Sequence, residues 1–115
     1  MERALTDIAQ LRSLCNGDTA RMERYIRMFL QGTPALFEQL RADLDGGDLE
    51  SLSRNAHGLK PQATYMGAAQ LKEDLQRLEQ AAHGGDSVDC ASLLERCREL
   101  HAEVMRELEG ALADL

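Results

Sequence analysis

The chain has 115 residues, 43% of them hydrophobic, which suits one small domain with a single bundle core and excludes an enzyme built around a deep cleft. Leucine occurs 19 times and alanine 15 times, against four isoleucines and valines together, two Phe, two Tyr and no Trp; a β-sandwich or barrel has little to build on, and the composition is that of an all-α chain. The net charge of −7 argues against nucleic acid or anionic lipid as the main partner.

In chain order, Leu5, Ile8, Leu11 and Leu14 predict a short first helix, capped by Thr6 and ended at Asn16-Gly17. From Asp18 the positions Met22, Ile26, Phe29, Thr33, Phe37, Leu40 and Leu44 recur every three or four residues. Gly32-Thr33-Pro34 interrupts them, and Thr33 has the form of an N-cap with proline at the first helical position. Because the phase survives the interruption, the spacing predicts one long helix kinked near Pro34, with two abutting helices as the alternative. Gly46-Gly47 ends this element and Asp48 is the N-cap of the next, where Leu49, Leu52, Ala56, Leu59, Ala63 and Met66 form one apolar stripe. Gly67 makes a turn, and Ala68, Leu71, Leu75, Leu78 and Ala82 repeat the spacing up to Gly84-Gly85. The last helix starts near Asp86 or Ser87 and turns Cys90, Leu93, Leu94, Cys97, Leu100, Val104, Leu108 and Leu112 inward. Short loops between long amphipathic helices require antiparallel neighbours. The expected architecture is an antiparallel up-and-down four-helix bundle with a short additional N-terminal helix, one domain over residues 1–115.

No apolar run approaches the ~20 residues of a membrane span, and residues 1–7 lack a signal peptide's apolar stretch. Cys15, Cys90 and Cys97 form no even framework, and Cys90 and Cys97 lie about 10 Å apart by helical rise, too far to bridge. They read as reduced thiols in the core, which fits a cytoplasmic location. No oligomeric interface is evident, so a monomer is expected.

Charge distribution singles out one segment. All 20 acidic residues lie outside positions 51–72, a stretch that holds Arg54, Lys60 and Lys72. Such a stretch is either a solvated helix face or a place where an anion must sit. Its middle is His57, about 130° from the centre of the apolar stripe and therefore turned to solvent. Ser53 and Arg54 lie one turn before it, Lys60 and Pro61 one turn after, and Thr64 beyond; Gly58 removes a side chain beside the ring. An imidazole is both neutral and nucleophilic near pH 7. An exposed cation three residues away, Lys60, favours that neutral form and then screens any anion the ring acquires. The constellation suits a histidine that accepts a phosphoryl group from a bulky donor.

The stretch Ala56-His57-Gly58-Leu59-Lys60-Pro61-Gln62-Ala63-Thr64-Tyr65-Met66-Gly67-Ala68 resembles the signature of histidine-containing phosphotransfer (HPt) domains, the four-helix relay modules of two-component signalling. Phe29, Leu40, Asp48 and Leu52 before it and Leu71, Leu75 and Leu78-Glu79 after it extend the resemblance over about residues 22–82. The resemblance implies that His57 is the phosphoacceptor, that Lys60 steadies the phosphate, and that Glu79 is the polar residue on the next helix facing the histidine. With Glu79, the residues Ser53, Arg54, Gly58, Pro61 and Thr64 form the candidate partner surface. The implied role is that of a phosphorelay intermediate which takes a phosphoryl group from a receiver-domain aspartate and passes it to another receiver. Its partners are then response-regulator receiver domains, a hybrid histidine kinase, or both. Mg²⁺ is expected on the partner receiver; the chain itself is expected to have no cofactor and no ATP site. One departure is Pro61, where many members have glycine: proline lacks an N–H, so the His57 carbonyl loses its helical donor, giving a kink or a free carbonyl.

A binding-only adaptor of the same fold is the alternative, against which the intact His57 and Lys60 argue. Cys97 and His101 have a spacing that suits zinc, but no further ligand pair accompanies them, and a core cysteine beside a partly buried histidine is the plainer reading. A helical metal sensor therefore lacks ligands. His83 suits a helix C-terminus and lies on the strip Lys72-Gln76-Glu79-His83, bordering the site. Met22, Met28, Met66 and Met105 read as packing or surface.

Overall fold

Among the described residues, 4–115 of the computed structural model, five helices follow one another: α1 (Ile8–Leu14), α2 (Thr19–Asp45), α3 (Leu49–Tyr65), α4 (Ala69–His83) and α5 (Ser87–Ala113). Residues 1–3, part of the N-terminal stretch read above, lie outside the described residues. Four helices begin on an aspartate whose carboxylate accepts the N–H three residues on: Asp7 from Gln10, Asp18 from Arg21, Asp48 from Ser51 and Asp86 from Asp89. That backbone bond from Ser51, with help from its hydroxyl, holds the Asp48 carboxyl below the usual range. The first cap is thus Asp7 and not Thr6. Thr6 is occupied elsewhere, its N–H and hydroxyl both donating to Glu107 Oε1, at 3.1 and 3.0 Å.

α2 is one helix that runs through Pro34, so the reading of two abutting helices falls, and Thr33 is no cap. Thr33 is buried inside the helix, with its hydroxyl 2.7 Å from the Phe29 carbonyl and 2.8 Å from His101 Nε2. A mid-helix proline costs roughly 3 kcal/mol. The inward stripe Phe29, Thr33 and Phe37 spans the interruption, and its burial offsets that cost. The expected N-cap at Asp48, the turn at Gly67 and the start of the last helix after Asp86 are all observed.

The helices pack in a ring, α2 on α3, α3 on α4, α4 on α5 and α5 on α2, with α3–α4 the most extensive seam. The principal extents are 43 × 29 × 18 Å, which is one long helix by two helix diameters in the thin direction. Fully buried leucines from all five helices, among them Leu11, Leu40, Leu52, Leu75 and Leu94, make the core, while Leu93, Leu100 and Leu112 are half-buried at its margin. The three cysteines are buried and free. Burial, reinforced by Asp74, pushes the Cys97 thiol up to about 12, and burial also raises Cys90.

α1 is fastened to the bundle by polar contacts. Asp7 N–H donates to the Met66 carbonyl at 3.1 Å, Gln10 Nε2 to the Thr64 carbonyl at 3.1 Å, and Leu5 N–H to Glu107 Oε2 at 2.8 Å. Gly67, with φ +65°, lies so close to Asp7 that any Cβ there would collide with it. No helix of the described residues is long and apolar enough to cross a membrane.

Candidate functional site

α3 buries Leu52, Ala56, Leu59 and Ala63, and that stripe alone fixes where the next position points. His57 follows Ala56 and faces outward, its side chain 67% exposed. The α3–α4 seam sets Glu79 beside it. His57 Nδ1 lies 2.9 Å from Glu79 Oε2, and Lys60 Nζ lies 2.7 Å from the other oxygen, Oε1. Lys60 also donates to Gln76 Oε1 at 2.9 Å. Ser53 Oγ donates to the Glu79 carbonyl at 3.1 Å, which ties the backbone of α4 to α3 at the same level.

Glu79 determines the chemistry of the ring. Burial works to raise its pKa, but hydrogen bonds and charge from Lys60 and His57 outweigh this and hold the carboxyl below its usual range. An ionised carboxylate only accepts, so the proton between it and the imidazole belongs to Nδ1. In the neutral ring the lone pair is then on Nε2, at the end of the ring away from that contact. Glu79 Oε1 is buried and lacks directional hydrogen-bond geometry; the Lys60 ammonium satisfies it as an ion pair.

The sequence placed Lys60 on an exposed face, and the structure corrects this. Its side chain is 16% exposed because Glu79 and Gln76 draw it across the seam. Glu79, expected on the next helix facing the histidine and grouped with the partner surface, does face it as the ring's hydrogen-bond partner and is 24% exposed. Beside the ring is an open depression of about 250 Å³ lined by His57, Lys60, Pro61, Thr64, Tyr65 and Lys72. α3 continues unbroken through Pro61, which cannot donate to the His57 carbonyl. Thr64 Oγ1 donates to the Lys60 carbonyl at 3.0 Å. A Cβ on Gly58 would meet nothing within 4 Å, so the fold itself does not call for glycine next to His57.

Arg54 and His83 belong to a neighbouring depression of about 320 Å³, together with Glu50, Ser53 and Ala82. Cys97 and His101 do not form a metal pair: His101 Nε2 is engaged by Thr33 and its ring stacks on Phe37, centroids 4.0 Å apart. Met22 and Met66 are buried and Met28 is exposed. Residue reasoning missed Gln76 as the partner of Lys60, although its place one turn before Glu79 on the same strip was the available signal. It also missed Tyr65, which lines the His57 depression and an adjoining apolar one with Tyr25, Met28 and Phe29.

Comparison with known proteins bears on this arrangement. The model of the Hpt domain family matches residues 24–114. Among solved structures, the crystal structure of histidine-containing phosphotransfer protein B (HptB) from Pseudomonas aeruginosa PAO1 is similar over 99% of each chain, with a TM-score of 0.90 and 23% identity. That likeness is one of fold. No curated protein matches the chain.

Proposed function

Since the chain belongs to the Hpt domain family, a family of phosphocarriers that interact with receiver domains in phosphorelays, we propose that His57 is its phosphoacceptor. The observation that carries the assignment is the 2.9 Å contact from Nδ1 to Glu79 on an otherwise exposed ring. It presents Nε2 outward with its lone pair free. The Nε2 pair attacks phosphorus in line as the bond from phosphorus to the receiver's aspartyl oxygen breaks, and that bonding pair leaves with the carboxylate. Nδ1 keeps its proton, the ring gains the positive charge, and Glu79 stands ready to balance it. Reversal towards a second receiver completes the relay.

Glu79 is a positioning residue in this reading. Lys60 keeps Glu79 ionised and, as the positive end of that ion pair, borders the depression on the phosphate side. Ser53, Arg54, Gly58, Pro61 and Thr64 form the rim on which a receiver settles, with the receiver supplying its own Mg²⁺. The unit over residues 1–115 works as a cytoplasmic monomer, fed by a hybrid histidine kinase or a free response regulator.

Incubation with a phosphorylated receiver and Mg²⁺ tests the assignment. The parent should acquire an acid-labile, base-stable phosphate, and His57→Gln should abolish it with a change in stability within about 0.5 kcal/mol, as for exposed positions generally. Label persisting in His57→Gln would move the site to another residue. A parent that binds receivers and never takes up label would be an adaptor.

A further inference from the structure

The chain has two lysines against eleven arginines, and both lysines line the depression beside His57. They are not equivalent. Lys60 is held at 2.7 Å from Glu79 and 2.9 Å from Gln76 and is largely covered. An ammonium that close to a carboxylate acts on a third charge mainly as a dipole, because the two unit charges nearly cancel at a distance. Lys72, in the first turn of α4, is exposed and has no ion-pair partner among the described residues. Its acidic sequence neighbour, Glu73, is taken by Arg77 at 3.0 Å. Lys72 also closes the stretch 51–72 from which acidic residues are missing. The uncompensated positive charge of the depression is therefore on Lys72.

Building on the assignment of His57, we propose that Lys72 is a second phosphate-contacting residue, the free ammonium that meets the phosphoryl group while Lys60 serves as fixed counter-charge to Glu79. During transfer the N–P bond forms at Nε2 as the aspartyl O–P bond breaks and its electron pair leaves with the carboxylate, and the oxygens of the moving PO₃ unit carry negative charge throughout. A cation that follows it favours both directions of the relay. Lysine suits this duty better than arginine, since its compact charge sits on a flexible four-carbon stem, whereas a guanidinium holds a rigid fork in one orientation.

The test measures initial rates of labelling at His57 from two donors, a phosphorylated receiver domain and phosphoramidate, in the parent and in Lys72→Ala, Lys72→Arg and Lys72→Glu. Lys72→Ala should slow labelling about five- to tenfold with both donors at low salt, and the gap should narrow as salt is raised. Lys72→Arg should retain most of the rate, and Lys72→Glu should fall below Lys72→Ala, all with unchanged helicity and melting. If Lys72→Ala labels like the parent, Lys72 is idle and the proposal fails while His57 stands. Slowing with the receiver alone would make Lys72 a contact to the partner protein and not to the phosphoryl group, which also overturns it. A parent unlabelled by either donor overturns the assignment of His57 and this proposal together.

Discussion

Glu79 gives one oxygen to the His57 imidazole and the other to the Lys60 ammonium, so the loss of either partner alters what the remaining one experiences. Lys60→Ala leaves Oε1 buried without its cation, and an unpaired buried acceptor costs about 1–3 kcal/mol. Burial is then opposed by His57 alone, so the Glu79 pKa rises from its lowered value, which weakens its hold on Nδ1. Urea unfolding of Lys60→Ala should show a loss of about that size, and Lys60→Ala/Glu79→Gln should recover part of it, because a neutral amide needs no counter-charge. Equal midpoints for parent and Lys60→Ala would mean that the pair contributes nothing. His57 and Lys60 were visible as a pair in the sequence because three residues is nearly one helical turn. The Lys60–Glu79 contact was not visible: it joins residues 19 apart and depends on how α4 is registered against α3. The same limit hid the unequal states of Lys60 and Lys72, which composition alone treats alike.

α2 and α5 meet at a buried polar contact, where periodicity showed only two separate inward stripes. His101 is 8% exposed, lies over Phe37 and faces the Thr33 hydroxyl next to Pro34; burial lowers its pKa to about 4. Between roughly pH 4 and 6.5 the unfolded chain takes up a proton that the folded chain refuses. The stabilisation from the neutral ring is therefore complete above about pH 6.5 and lost as pH falls towards 4, on the order of 3 kcal/mol over the window. Glu79, with its lowered pKa, adds a loss of the same sign at lower pH. Denaturant midpoints at pH 7.5 and 4.5 should separate steeply for the parent and less for His101→Phe; equal separations would show that His101 titrates as an exposed histidine does. Helix type, order and inward faces were legible because three-four spacing is a local property. The cap at Asp7 and the bond from Thr33 to His101 were not, because Glu107 and His101 enter them from far along the chain. Thr33-Pro34 follows the local rule for a helix start, and the core stripe overrides it.

For the molecule as a whole, α1 is the shortest helix, held by Leu11 in the core and by polar contacts at its ends. Gly67→Ala forces a side chain into Asp7 at a backbone conformation with positive φ, a change worth more than about 1 kcal/mol. Hydrogen exchange should show the amides of α1 losing protection while those of α2 to α5 keep theirs; unchanged protection of α1 would show that the turn yields instead. The four-helix ring needs no such attachment, and α3 and α4 share its most extensive seam. His57, Lys60, Gln76 and Glu79 all stand on these two helices, and Ser53 ties their backbones together beside the site. A phosphoryl group on His57 would therefore change the charge at one rim of the molecule and leave its outline as it was. The two forms would diffuse and scatter alike, and beyond a screening length of about 8 Å little would register which one was present. With His57 as the proposed acceptor, news of this kind would travel only by touch: a receiver would learn the state by coming to the ring, and the order in which receivers arrive, set by their numbers and their grip on the rim, would become the routing rule of the pathway.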